Sequence, residues 1–185
     1  MDDCIKKLEL ELSKRENLES AYKVKCLSYD NLKKHLDSIT VTDQITGTLN
    51  RIKMDSILEQ ELQRCTRYGN NLCIVLIAVA DFAAIQNNVD RNSINFCLRR
   101  LASLISECLR NTDYFGRWAD DSFIVILTET SLDHVEIFTE RLKSILSSTE
   151  FKDIGQIICN FGAAQYASGD DYMNIIKKAK TKLDE

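Results

Sequence analysis

The first 40 residues contain neither glycine nor proline, so no strong helix breaker interrupts them. The whole chain has only two histidines, His35 and His134, which leaves few parts for a zinc site or a histidine-centred triad. Its seven cysteines (Cys4, Cys26, Cys65, Cys73, Cys97, Cys108, Cys159) are odd in number, widely spaced and form no C-x-x-C pair. Most lie in apolar runs, where a thiol acts as a small hydrophobe, so reduced thiols in a cytoplasmic protein are expected. Basic residues are outnumbered, 24 Lys plus Arg against 28 Asp plus Glu, and no concentrated basic face is visible. The net charge of −4 therefore argues against a nucleic-acid or anionic-membrane surface. The opening MDDCIKKLELE alternates charge with single apolar residues and never builds a signal-peptide or spanning run, so no membrane insertion is expected.

What is present is 185 residues of 44% hydrophobic content, enough for one globular domain and an appendage. In residues 1–40, Met1, Cys4, Leu8, Leu18, Tyr22, Tyr29, Leu32, Leu36 and Ile39 follow a four-three spacing, interrupted by Glu11, Arg15 and Lys25. So narrow a stripe on a charged helix buries little without a second helix, and a coiled-coil homodimer is the expectation. A helix folded back on its own domain is the alternative. Turn-forming and β-branched residues at 40–51 mark a boundary, which gives a stalk over 1–40 and a domain over 41–185.

Within the domain, helical spacing covers 52–67, and Gly69-Asn70-Asn71 closes that helix. LCIVLIAVA, 72–80, reads as a central strand covered on both faces. A helix follows over 94–109, then short strands over 114–118 and 123–127, a helix over 132–146, a strand over 156–163 and a helix over 172–183. The order β-α-β-β-α-β-α predicts an α+β sheet flanked by helices, with the 114–127 hairpin near its middle. The hairpin tip carries Trp118, Ala119, Asp120 and Asp121, with no glycine to make the turn.

Two motifs carry a resemblance. Asp43-Gln-Ile-Thr-Gly-Thr-Leu-Asn-Arg51 is similar to D-x-L-T-G-x-x-N-R, and Arg117-Trp-Ala-Asp-Asp-Ser-Phe123 stands where R-x-G-G-D/E-E-F is expected. The apolar strand and Phe82 fall where D-I-D-x-F-K would lie. The chain thus resembles the GGDEF domain of diguanylate cyclases, which join two GTP molecules into cyclic di-GMP, over about residues 40–183. That implies a nucleotidyl-cyclase-like central sheet containing antiparallel strands, preceded here by a long N-terminal helix.

The departures bear on activity. In the family, a glycine hairpin admits GTP phosphates and neighbouring carboxylates hold divalent metals over them, as phosphoryl transfer requires. Here the D-I-D acids correspond to Ala78 and Ala80, the glycines to Ala119 and Asp120, and the last acid to Ser122, leaving Asp121 alone. The positions that read guanine correspond to Gln86 and Asn95, the family lysine to Ala83, and the sequence stops before the A-K-x-x-G-R-N segment. The expectation is a degenerate domain with no catalytic residues, no metal, no cofactor and no cyclase activity.

The family's product-inhibition motif, R-x-x-D five residues before GGDEF, is matched by Arg110-Asn-Thr-Asp113, and a helical arginine of that site by Arg141. The resemblance implies that these three bind cyclic di-GMP: a carboxylate accepts from guanine's N1 and N2 hydrogens, and a guanidinium forks onto O6 and N7 or a phosphate. Alternatively, Arg110 and Asp113 simply pair in water at a helix end. Asp43 and Arg117 are assigned to structure, as the pair that fastens the leading turn to the hairpin. Thr46, Gly47 and Asn50 read as turn residues. Three functions remain open: a cyclic di-GMP receptor with an unidentified protein partner, a nucleotide-independent interaction scaffold, and a residual cyclase or GTP-binding regulator.

Overall fold

Strand β1, Leu72–Val79, is apolar throughout because both of its faces are covered. The computed structural model describes residues 14–15, 18–26, 28 and 41–183 and divides the chain into two units, Met1–Thr40 and Val41–Glu185. In the first unit residues 18–26 are helical, and Leu18, Tyr22 and Cys26 are exposed. The other stripe positions, Met1, Cys4, Leu8, Tyr29, Leu32, Leu36 and Ile39, lie outside the described residues, as does His35.

The second unit runs α1 (Arg51–Tyr68), β1, α2 (Phe82–Asn88), α3 (Arg91–Ser106), β2 (Tyr114–Arg117), β3 (Ser122–Thr128), α4 (Leu132–Ser147), β4 (Cys159–Gln165) and α5 (Tyr172–Leu183). The four strands lie in the order β2-β3-β1-β4, and every neighbouring pair is antiparallel. Alternation along β1 sends Cys73, Val75, Ile77 and Val79 to one face and Leu72, Ile74 and Leu76 to the other. The first face is closed by α3 and α4, the second by α1 and α5. Each fully buried aliphatic side chain in these cores contributes roughly 1.5–3 kcal/mol. This is the expected α+β, helix-flanked sheet.

Local signals set the helix ends. Asn50 Oδ1 accepts from the Lys53 amide at 2.8 Å to cap α1, and Gly69, at φ 72°, returns its N–H to the Cys65 carbonyl. Asp90 caps α3 by accepting from the amides of Asn92 and Ser93.

The element order differs from expectation by one helix. α2 has only seven residues and no fully buried one, and its half-buried Phe82 and Ile85 make an apolar face too short to read as a helix. α3 begins earlier and ends at Ser106, which frees residues 107–113 to form a turn. β4 starts at Cys159 and not at Gln156, because Phe151 and Gly155 pair across a tight turn before it. Only β3 of the hairpin is an inner strand. β2 is the outer one, and Leu49 covers its edge: the Leu49 amide donates to the Phe115 carbonyl, and the Arg117 amide to the Leu49 carbonyl.

Candidate functional site

Residues 41–50 and the hairpin tip are built against each other. The Asp43 carboxylate accepts from the Thr46 amide at 2.8 Å and the Thr46 hydroxyl at 2.7 Å, and the Gly47 amide returns to the Asp43 carbonyl, closing a turn with Gly47 at φ 74°. Arg117, 8% exposed, donates from Nε to the Ala119 carbonyl at 3.0 Å and from Nη2 to the Asp120 carbonyl. Its Nη1 stands 3.7 Å from Asp43 and makes no hydrogen bond. Burial pulls the guanidinium below its ordinary pKa, opposed by the nearby carboxylates, Asp43 foremost. Arg117 therefore gathers two of the turn's carbonyls around one buried cation.

The other tip residues divide. Trp118 is buried with the α1 and α5 core, and the Arg51 guanidinium lies 4.4 Å above its ring. Ala119 and Asp120 are exposed, while Asp121 is half-buried and its carbonyl accepts from the Val79 amide at 3.0 Å. Sequence reasoning missed the Arg51 and Trp118 contact. It also missed Asp55, which lies 3.8 Å from Arg51 and accepts from the Tyr172 hydroxyl at 2.5 Å. Desolvation first and Asp55 second raise the Tyr172 pKa. Arg51 and Asp55 share one turn of α1, but their aromatic partners, Trp118 at the hairpin tip and Tyr172 on α5, lie far along the chain, and no one-dimensional cue points to such contacts.

Around β1, Ala78 stands opposite Ser122 on β3 and Asn160 on β4. Ala80 follows the strand, with its amide on the Ile158 carbonyl, and Asp81 turns the chain into α2 at φ 51°. Gln86 on α2 is exposed, Asn95 on α3 is half-buried, and no hydrogen bond joins them among the described residues. Among those residues no three His, Cys, Asp or Glu side chains converge on one point. With methyl groups at 78 and 80 and a hydroxyl at 122, this donor set does not fit the divalent ions that the family uses.

Arg110, Asp113 and Arg141 do come together. The 107–113 turn is closed reciprocally: the Asp113 amide donates to the Arg110 carbonyl at 3.1 Å, and the Arg110 amide to Asp113 Oδ2 at 2.9 Å. Arg141 reaches across from α4 and donates from Nη2 to the Glu107 carbonyl at 3.1 Å. All three line a cleft of about 240 Å³, with His134, Ile137 and Phe138 on the α4 wall. No ion pair joins the Arg110 guanidinium to Asp113. Asp113 Oδ1 is buried and has no hydrogen-bond partner, an arrangement that costs about 1–3 kcal/mol for a polar group left unsatisfied. Two guanidinium groups and a carboxylate with an unsatisfied acceptor suit an anionic ligand that also carries N–H donors.

The family described as diguanylate cyclase, GGDEF domain, matches residues 40–185. The diguanylate cyclase DosC of Escherichia coli is 30% identical over 146 residues, 76% of this chain and 32% of DosC. The chain thus spans about a third of that curated relative. Among solved structures, the GGDEF domain of DgcB from Caulobacter crescentus, in complex with c-di-GMP, superimposes with a TM-score of 0.74 at 19% identity, covering 78% of this chain and 88% of that one. The diguanylate cyclase SiaD of Pseudomonas aeruginosa, in complex with its activator SiaC, gives a TM-score of 0.73 at 22% identity, covering 98% of this chain and 74% of that one. The matched span takes in the Asp43 turn, the hairpin, the antiparallel sheet and the Arg110 cleft alike, and the chain belongs to the GGDEF domain family.

Proposed function

We propose that this chain is a catalytically inactive GGDEF domain that serves as a receptor for cyclic di-GMP in a cytoplasmic signalling assembly. The observation that carries the reading is the buried, unpartnered Oδ1 of Asp113, a residue that lines one cleft with Arg110 and Arg141. Guanine's N1 and N2 hydrogens satisfy that carboxylate, and the guanidinium groups take O6 and N7 or a phosphate. Ala78, Ala80 and Ser122 support the inactive half of the reading, since a metal-assisted phosphoryl transfer needs carboxylates at such positions. No helix among the described residues is long and apolar enough to cross a membrane. The proposal includes a homodimer through residues 1–40 and a protein that reads the liganded state; SiaD, a neighbour in fold, is itself solved in complex with a protein, its activator SiaC. A thermal-shift screen tests it: cyclic di-GMP raises the melting temperature by mass action, whereas GTP and GMP do not. An unchanged melting temperature with all three would leave the nucleotide-independent scaffold.

A further inference from the structure

The wall of the cleft formed by α4 consists of His134, Ile137, Phe138 and Arg141, spaced as one helical face. His134 is exposed and opens the first turn of that helix. Ser131 occupies the N-cap position in an extended conformation, φ −93° and ψ 167°, where a serine hydroxyl ordinarily accepts from a first-turn amide. It makes no such bond. Its Oγ lies 3.1 Å from His134 Nδ1, so the hydroxyl fixes the imidazole ring and not the helix end. Nε2 makes no hydrogen bond among the described residues. With the serine hydroxyl donating to Nδ1, the ring proton sits on Nε2, and an imidazolium donates from Nε2 as well. A phosphate oxygen only accepts, and it selects these forms.

We infer that His134, oriented by Ser131, is a further contact to the ligand in this cleft, donating from Nε2. The inference rests on the cyclic di-GMP reading of Arg110, Asp113 and Arg141. The charged residues that line the cleft with the imidazole are mixed in sign: Glu107, Arg110 and Asp113 from the 107–113 turn, and Arg141 two turns along α4.

Titration calorimetry of the full chain with cyclic di-GMP, using wild type, Arg110→Ala, His134→Ala and His134→Gln, tests this. His134→Ala is expected to weaken binding about tenfold, while His134→Gln, which keeps an amide donor at a similar reach, stays within about threefold of wild type. Because His134 is exposed, the melting temperatures of both variants match wild type. Binding that Arg110→Ala removes but His134→Ala leaves intact would overturn the His134 contact and spare the receptor. Equal weakening by the Ala and Gln variants would overturn the Nε2 donor, and no binding by wild type would remove both readings.

Discussion

Ala78 and Ser122 face each other across the β1 and β3 ladder, where the family resemblance places metal-holding carboxylates. A methyl and a hydroxyl cannot neutralise a triphosphate through divalent ions, and Asp120 adds negative charge at the tip where phosphate would approach. Incubation with GTP and magnesium or manganese is expected to give no cyclic di-GMP above a blank without protein. Measurable product would overturn the inactive assignment.

Arg117 binds the tip together from inside. Replacing it with methionine keeps the aliphatic volume and removes the donors to the Ala119 and Asp120 carbonyls as well as the partner of Asp43. Breaking a buried pair costs about 3–5 kcal/mol, and the partial exposure of Asp43 brings the expected loss to about 2–3 kcal/mol. Urea denaturation of Arg117→Met measures it. An unchanged midpoint would show that the turn holds without its cation.

Gly116 makes the close contact of β2 with α1 possible. A Cβ there would come within 2.3 Å of Met54 Cγ and 2.5 Å of the Leu49 carbonyl oxygen. The backbone oxygen cannot swing away as a side chain does, so Gly116→Ala is expected to destabilise by about 3 kcal/mol, at the upper end of overpacking effects. Denaturation that matches wild type would mean that α1 shifts freely.

Strongly periodic elements were legible in the sequence for physical reasons. β1, α1, α4 and α5 bury whole faces, and their apolar spacing records that burial. α2 packs only the half-buried Phe82 and Ile85 on the core, too few positions to show a period. The Arg110, Asp113 and Arg141 grouping was legible only through the family spacing, because the turn at 107–113 and helix α4 meet in space and not along the chain. Trp118 read only as a hairpin-tip residue, while in the fold the Arg51 guanidinium covers it and the α1 core takes its ring. No local pattern encodes a contact made by a neighbouring element.

The buried thiols predict alkaline weakness. Burial pushes Cys73 and Cys97 up to about 11 from 9.0, and burial together with Cys97 pushes Cys159 up to about 12. The folded state keeps protons that the unfolded state releases above about pH 9, so stability is full below that point and falls as pH rises towards 11. Each thiol contributes a slope of up to about 1.4 kcal/mol per pH unit in that window. Denaturation at about pH 8 and about pH 10.5 measures the loss, and native-state alkylation is expected to spare Cys73 and Cys97 while exposed Cys26 reacts. Flat stability across that range, or rapid labelling of Cys73, would contradict the burial.

The receptor assignment is tested most directly by titration calorimetry of cyclic di-GMP into wild type and Arg110→Ala. Micromolar or tighter binding by wild type, about −8 kcal/mol or better, that is lost in Arg110→Ala is the predicted result. Equal binding by both proteins, or no heat from either, would contradict it.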